Sequence, residues 1–416
     1  MKIAIVSDAI YPYNKGGKEK RIYEISTRLA KKGHQVTVYC MKWWKGSNSR
    51  IEEGVQIKAI SPYFPLYAGE RRSIKEALFF SLHCFKLVKE DFDIIDVDAI
   101  PHFVLFSTKL VALLKRKKLH VTWYEVWGIS YWIDYMGLSG VLAGLIEKIT
   151  SMLPDKFAAI SDHTAKELVT KLKVPLHKIT VVPPGISIAE LEGIMPATMR
   201  SDIIFVGRLL SNKNVDVLIQ SVALLKTKYP RVKCMIVGKG PERNNLIKLA
   251  QKNNLVENID FIEEIEDHNQ LYSLMKSSRV FAFPSTREGF GIVALEANAC
   301  GLPVVTTDHQ QNAASSLVKG GLNGEVISLS RESLAHAIDA YLTMQPDPAK
   351  YASLLQQYNW DHLAQRVEDV YATEYISETI PQEETRLGVL KMSTREEVLV
   401  NGSKSMGKGA WNHDPR

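Results

Sequence analysis

Glu288 and Glu296 are the residues whose type and spacing first point to chemistry. Seven residues separate them, in the run Glu288-Gly289-Phe290-Gly291-Ile292-Val293-Ala294-Leu295-Glu296. The helical neighbours of Glu296 at three and four positions are Ile292, Val293, Ala299 and Cys300, so its carboxylate lies on an apolar helix face. An unpaired carboxylate there costs on the order of several kcal/mol, so something must meet it. One answer is a buried ion pair with a Lys or Arg; the other is a ligand rich in hydroxyls. Gly289 and Gly291 let the backbone come close to such a ligand. The free N–H groups from Phe290 to Ile292, at a helix start, favour an anion. Together these features suit a sugar joined to a nucleoside diphosphate, with an ion-paired core helix as the alternative.

The elements that must hold these groups follow from the pattern. Val280 to Phe283 is a short apolar run suited to a buried strand, and Pro284 to Gly289 is turn chemistry. A helix over Gly291 to Ala299 is stopped by Gly301 and Pro303, and Val304 to Thr307 is the next strand. Further upstream, a strand over Asp202 to Val206 runs into Gly207-Arg208-Leu209. Arg208 and Lys213 then flank the mouth of a helix beginning near Asn214. Two cations beside a helix start read as an anion site or as two solvated side chains.

The chain opens with a strand over Lys2 to Ser7, a loop carrying Gly16 and Gly17, a helix to about Lys32 and a strand over Gln35 to Cys40. That order begins a doubly wound α/β domain. Taken alone, Gly16-Gly17 reads as a turn. Further strands fall at Phe92 to Asp98, His120 to Tyr124, Lys156 to Ile160, Val232 to Val237 and Ile259 to Ile262. Asp96-Val97-Asp98 reads as structural rather than as a metal site, and His102 as a packed loop histidine. Gly238-Lys239-Gly240 lacks the third glycine of a dinucleotide fingerprint, Arg243 standing in its place, which argues against NAD. A helix over Arg71 to Lys89 carries Ile74, Leu78, Leu82, Phe85 and Val88 among basic residues. It fits an ordinary surface helix or a peripheral contact with an anionic membrane. Lys115 to Lys118 reads as a solvated helix end.

With 416 residues the chain has room for two or three domains, and 45% hydrophobic with 24% charged residues is an ordinary soluble balance. A net charge of +6 suits an anionic ligand or surface and carries no nucleic-acid signature. Cys40, Cys84, Cys234 and Cys300 have no metal-binding spacing and fit buried thiols in a reducing cytoplasm. The first residues do not form a signal peptide, and no uncharged apolar run reaches the length of a membrane span, about 18 residues.

Glu288-Gly289-Phe290-Gly291 through Glu296, with the flanking Pro284-Ser285-Thr286-Arg287 and Glu296-Ala297-Asn298-Ala299-Cys300-Gly301-Leu302-Pro303, resembles the E-x7-E motif of family 4 glycosyltransferases. Gly207-Arg208-Leu209 with Lys213 resembles the same family's G-R-L-x3-K pattern, with Asn214 where a glycine is usual. The resemblance implies the GT-B architecture, two doubly wound Rossmann-like α/β domains facing across a cleft. It implies boundaries at 1–187 for the acceptor-side domain, 188–201 for a linker and 202–355 for the nucleotide-sugar domain. A helix at 356–377 would cross back, and 378–416 would be a disordered tail.

The implied reaction is retaining, metal-independent transfer of a sugar from a nucleotide-diphosphate donor. A UDP-sugar comes first, with GDP- and ADP-sugars as alternatives. The acceptor would be a glycan, a lipid-linked group or a small molecule. Arg208 and Lys213 would meet the donor diphosphate, Glu288 the sugar, and Glu296 the ribose diol. Gly16, Gly17, Gly289, Phe290, Gly291, Ile292 and Ile262 would line the donor site, the loop after Ile262, Glu263 to Glu266, cradling the nucleobase. Many members carry a histidine after the strand that ends at Tyr124; here Tyr124 occupies that place, followed by Glu125. Either Tyr124 positions the donor, or Glu125 or His102 substitutes, or activity is reduced. A nucleotide-sugar epimerase and a catalytically weak binding subunit are the alternative functions. The segment over Tyr131 to Leu153 reads as a helix beside the acceptor cleft, and acceptor choice would reside there.

Overall fold

In a computed structural model the chain divides into two units, Met1–Val367 and Glu368–Arg416. The structure describes residues 1–379, apart from 69, 70, 264, 266, 345 and 346. The tail from 380 therefore lies outside the described residues.

The first unit opens with β1 (Lys2–Val6), α1 (Gly17–Lys31), β2 (Gln35–Met41), β3 (Ser49–Glu52) and β4 (Val55–Ser61). A small pair, β5 (Tyr67–Ala68) and β6 (Arg71–Arg72), precedes α2 (Ile74–His83). Then come β7 (Ile94–Asp98), α3 (Val104–Leu114), β8 (Leu119–Trp123), α4 (Gly128–Met136), α5 (Gly140–Thr150), β9 (Lys156–Ala159), α6 (Asp162–Thr170) and β10 (Ile179–Val181). The eight main strands form one sheet in the order β10-β9-β8-β7-β1-β2-β4-β3, parallel except for β3. Trp123, Phe80, Phe92 and Phe157 are fully buried beside it.

After α7 (Ile188–Glu192) the chain builds β11 (Ile203–Val206), α8 (Val215–Lys228), β12 (Cys234–Val237), α9 (Arg243–Lys252), β13 (Ile259–Ile262), α10 (His268–Lys276) and β14 (Val280–Phe283). There follow β15 (Arg287–Glu288), α11 (Ile292–Ala299), β16 (Val304–Thr307), β17 (Gln311–Asn312), β18 (Gly324–Ile327), α12 (Arg331–Leu342), α13 (Pro348–Leu355) and α14 (Trp360–Thr379). This second sheet is wholly parallel, in the order β13-β12-β11-β14-β16-β18. Its strands are near-continuous apolar runs, as strands covered on both faces must be. The start of α14 returns to the end of the first sheet: Ile186 N–H donates to the Tyr358 carbonyl at 2.8 Å, and Arg366 donates to the Val181 carbonyl at 2.6 Å.

Several elements depart from the sequence expectation for local reasons. The helix expected from Arg71 begins at Ile74, because Arg71–Arg72 pair with Tyr67–Ala68 and Ser73 caps the helix, accepting from Glu76 N–H at 3.2 Å. The expected linker over 188–201 contains the one-and-a-half-turn α7. The expected helical segment over Tyr131 to Leu153 is a hairpin of α4 and α5, broken at Gly137 with φ +67°. All four cysteines are free and buried.

Glu76, three residues after the Ser73 cap, is fully buried with neither carboxylate oxygen hydrogen-bonded; the nearest cation is Arg72 at 3.7 Å. Burial, with the charge of Asp8, pushes its carboxyl up to about 8. Between the unfolded value, about 4.3, and 8 the folded chain holds the extra proton. That contribution to stability is full below the unfolded pKa and is lost as pH rises through about 8. Glu76→Gln, permanently neutral, is expected to flatten the fall of Tm between pH 6 and 9. The stability that wild type loses between pH 6 and 9, and the variant keeps, is on the order of 2–3 kcal/mol in thermal denaturation; identical pH slopes for variant and wild type would contradict it.

Candidate active site

The loop after β14 is tied down before any ligand arrives. Thr286 N–H donates to the Asn212 carbonyl at 2.9 Å, and Asn214 Nδ2 donates to the Pro284 carbonyl at 2.9 Å. Asn214 has left-handed φ of +49°, a conformation that Asn tolerates and Gly prefers, which accounts for Asn standing where the family has Gly. This turn delivers Lys213 to Glu288. Their ammonium and carboxylate form a direct, mostly buried ion pair, and the ammonium sits 5.5 Å from the centre of the Phe283 ring. Burial raises the Glu288 carboxyl, and Lys213 pulls it back only in part.

Glu296 is met differently. Its Oε1 accepts from the Tyr272 hydroxyl at 2.9 Å, so a phenol rather than a Lys or Arg occupies it. Burial pushes this carboxyl up to about 7. Both acids open on one cavity of about 1220 Å³. Gly16 and Gly17, at the start of α1, line it from the other side. An added Cβ on Gly17 would lie 3.6 Å from the Ile292 side chain, so the starts of α1 and α11 come close together at the wall of this space.

Two glycines are required here. Gly291 caps α11 with φ +87°, and a Cβ would lie 2.5 Å from Ala314. A Cβ on Gly289 would meet the Tyr124 carbonyl at 2.6 Å, while the Gly289 carbonyl accepts from Ser161 Oγ at 2.7 Å. The loop from the second sheet is thus clamped onto the end of the first. Gly289→Ala, whose Cβ must push the loop off the Tyr124 carbonyl, is expected to lower Tm and to lower kcat/KM about 10- to 100-fold, because displacing reacting groups by about 1 Å costs that much. Steady-state kinetics on the folded variant, showing wild-type kcat/KM, would contradict this.

Tyr124, Glu125 and His102 also line the cavity. The Tyr124 hydroxyl donates to Asp98 at 2.7 Å; burial and that carboxylate raise it well above its usual range, so it is a neutral donor at pH 7. Asp98 is in turn 3.3 Å from Lys18, which also pairs with Asp8 at 2.6 Å. Asp98 is therefore built into the β7 end of this network. His102 packs on Trp123 with ring centres 5.4 Å apart, and burial pushes it down to about 4, so the ring is neutral. Glu125 contacts Arg287 at 3.4 Å, and the Arg287 guanidinium stacks 3.3 Å from the Tyr131 ring centre.

The structure therefore gathers Glu288, Lys213, Tyr124, Gly16, Gly17, Gly289, Phe290, Gly291, Ile292 and Glu296 around one space. Arg208 and Ile262 are not among its lining residues. Arg208 is exposed, with its guanidinium 5.5 Å from the Tyr67 ring centre. Ile262 ends β13, its carbonyl engaged by Gly238 N–H at 2.8 Å. In the loop expected to follow it, residues 264 and 266 lie outside the described set. Sequence reasoning missed Lys18, Arg72, His268 and Phe283 in the lining. Only Lys18, beside the glycine pair, carried a local signal.

Two doubly wound sheets with a cavity at the ends of their parallel strands define the GT-B architecture, and comparison with known proteins supplies the class of protein. Residues 195–358 match the model of Glycosyl transferases group 1, and residues 15–190 match that of Glycosyltransferase Family 4. The chain belongs to the family 4 glycosyltransferases. It is 25% identical over 378 residues to the gpi3 subunit of phosphatidylinositol N-acetylglucosaminyltransferase from Schizosaccharomyces pombe, covering 88% of this chain and 79% of that one. Among solved structures it resembles sucrose-phosphate synthase from Thermosynechococcus elongatus, with TM-score 0.70, 19% identity, and 90% and 99% of the two chains covered. It also resembles Anabaena HepE in complex with UDP and glucose, with TM-score 0.66, 17% identity, and 89% and 99% covered.

Proposed function

We propose that this glycosyltransferase moves a sugar from a nucleotide-diphosphate donor to its acceptor with retention of anomeric configuration and without a metal ion. A UDP-sugar is the first candidate donor. The observation that carries the reading is the meeting of two helix N-terminal ends with Lys213, its partner Glu288 and Glu296 in the lining of one cavity. Aligned N–H groups and a desolvated ammonium are what a diphosphate requires. The HepE complex with UDP and glucose supports the nucleotide.

In this reading the diphosphate lies between the starts of α1 and α11 with Lys213 on it. Arg208 reaches in from the rim as the cleft fills. Charge builds on the departing phosphate as the glycosidic bond breaks, and prearranged donors in a dry site stabilise it. They supply the positive charge for which other transferases use a divalent ion. Donor entry draws Lys213 toward phosphate and frees Glu288 to bind the sugar hydroxyls and the positive charge developing on the ring. Glu296 takes the ribose diol, keeping or exchanging its bond from Tyr272. Tyr124, neutral and with its one proton committed to Asp98, can offer the donor sugar only an acceptor lone pair and does not act as a base.

Stereochemistry and metal dependence test the reading together. Proton NMR of the first product formed is expected to show the donor's anomeric configuration, at a rate unchanged in EDTA. An inverted product, or activity lost in EDTA and restored by manganese, would overturn it.

A further inference from the structure

We propose that the face of the first sheet carrying α2, α3 and the α4–α5 hairpin docks on an anionic lipid bilayer, with the Gly137–Ser139 turn of the hairpin leading.

An ordinary surface helix has one apolar face, turned inward. On α2, Ala77 and Phe80 are buried, yet Ile74, Leu78 and Leu82 are exposed. On α3, Val104, Leu105 and Val111 are buried while Leu110, Leu113 and Leu114 are exposed. The hairpin repeats this with Leu138 at 91%, Leu142 at 64% and Met152 at 73% exposure. More than half of the exposed large apolar side chains among the described residues lie between Ile74 and Met152. Patches of this kind mark interaction surfaces.

These helices share a side. The crossovers β4 to β7, β7 to β8 and β8 to β9 are all parallel and run in one direction across the sheet. Right-handed connections in one direction place their helices on one face. The stretch Gly128–Thr150 has 23 residues and is long and apolar enough to cross a membrane. It is folded in two, however. An added Cβ on Gly140 would meet the Trp132 carbonyl at 2.0 Å, and one on Gly144 would meet Ile129 at 2.7 Å, so these glycines let α5 lie directly on α4. Buried Glu147 locks the base, accepting from Trp127 N–H at 2.8 Å, Gly128 N–H at 2.7 Å and the Trp132 indole at 3.0 Å. Halves of 9 and 11 residues are each too short to span, which suits lying at the interface.

Charge selects the occupant. Over 74–89, 104–118 and 128–150 the acids are Glu76 and Glu147, both buried, and exposed Asp134. Lys75, Lys86, Lys89 and Arg116 are exposed on the same segments. An apolar face edged by cations matches anionic headgroups over hydrocarbon. The same elements give the cavity an apolar wall of Ile74, Ala77, Phe103, Met136, Leu142 and Ile146. The acceptor that follows is an amphiphile resident in that bilayer, its hydrocarbon stem against this wall; this part rests on the transferase reading.

The test is co-sedimentation of the full chain with vesicles of phosphatidylcholine alone or rich in phosphatidylglycerol, at low and high salt. Binding to the anionic vesicles, weakened by salt, is expected. Leu138→Asp with Leu145→Asp, neither of which lines the cavity, is expected to weaken that binding about tenfold or more, with UDP titration heats unchanged. Wild type remaining in the supernatant would overturn the proposal. So would a double variant that sediments like wild type, or one whose only change is to dissolve a dimer. UDP failing to bind while vesicles still do would remove the transferase reading and the acceptor clause and leave the docking face standing. Transfer to a water-soluble headgroup as fast as to its lipid form would remove the acceptor clause alone.

Discussion

Glu288→Gln is expected to lower kcat about 10³-fold with donor KM changed less than about threefold, the pattern of an interaction made only in the transition state. Glutamine keeps the shape and the hydrogen bonds to sugar hydroxyls, and loses the charge that faces the developing positive ring. The ion pair makes this result informative. Lys213 and Glu288 neutralise each other in the free protein, each side chain only 14% and 12% exposed. Glu288→Gln leaves the Lys213 ammonium beside the Phe283 ring and free for phosphate, so donor binding persists. Lys213→Ala is a harsher change, because it leaves a buried carboxylate unpaired, at a cost of about 3–5 kcal/mol. Kinetics of Glu288→Gln with circular dichroism as the folding control checks the claim. Wild-type kcat in the folded variant would remove Glu288 from the chemistry.

Glu296→Ala carries the second large effect, an expected rise of about 100-fold in donor Kd, since a ligand diol would lose two charge-assisted hydrogen bonds. Its proton gives a further handle. The Glu296 carboxyl is raised to about 7 by burial, so in the free protein it gains its proton as pH falls through that value. The ionised form is the better acceptor. Donor affinity is therefore expected to weaken below pH 7 and level off above pH 8, about tenfold for each pH unit at the steepest. Glu296→Gln, which cannot titrate, should bind weakly at every pH. Calorimetry at pH 5.5 to 8.5 reads both predictions. A pH-independent wild-type affinity would show that Glu296 does not touch the donor.

Much of the scaffold was legible because the central strands of the second sheet are short, mostly apolar runs between turn residues. Val280–Phe283, Val304–Thr307 and Ile259–Ile262 fall where the pattern puts them. The β3–β4 hairpin was not read. Its signal was Glu53-Gly54, both with positive φ, a turn that twists in the sense paired strands need. The α4–α5 hairpin read as one helical segment, since its composition is mostly apolar and nothing local distinguishes Gly137, where the chain breaks, from Gly140 and Gly144, which pack inside α5. Within the site, residue identities were legible and their partners were not. Lys213 and Glu288 are 75 positions apart, and Tyr272 lies 24 positions before Glu296. Those pairings are set by strand order in the sheet, which local periodicity does not encode. Ile262 was assigned by its loop, whereas its carbonyl belongs to the sheet edge.

The most direct measurement is calorimetric titration of the wild-type chain with UDP, GDP and ADP at pH 8. One of the three, UDP first, is expected to give saturable heat at one site per chain, and Glu296→Ala is expected to lose it. No saturable heat from any of them, with a cooperative thermal transition showing the sample folded, would contradict a nucleotide-sugar site between α1 and α11.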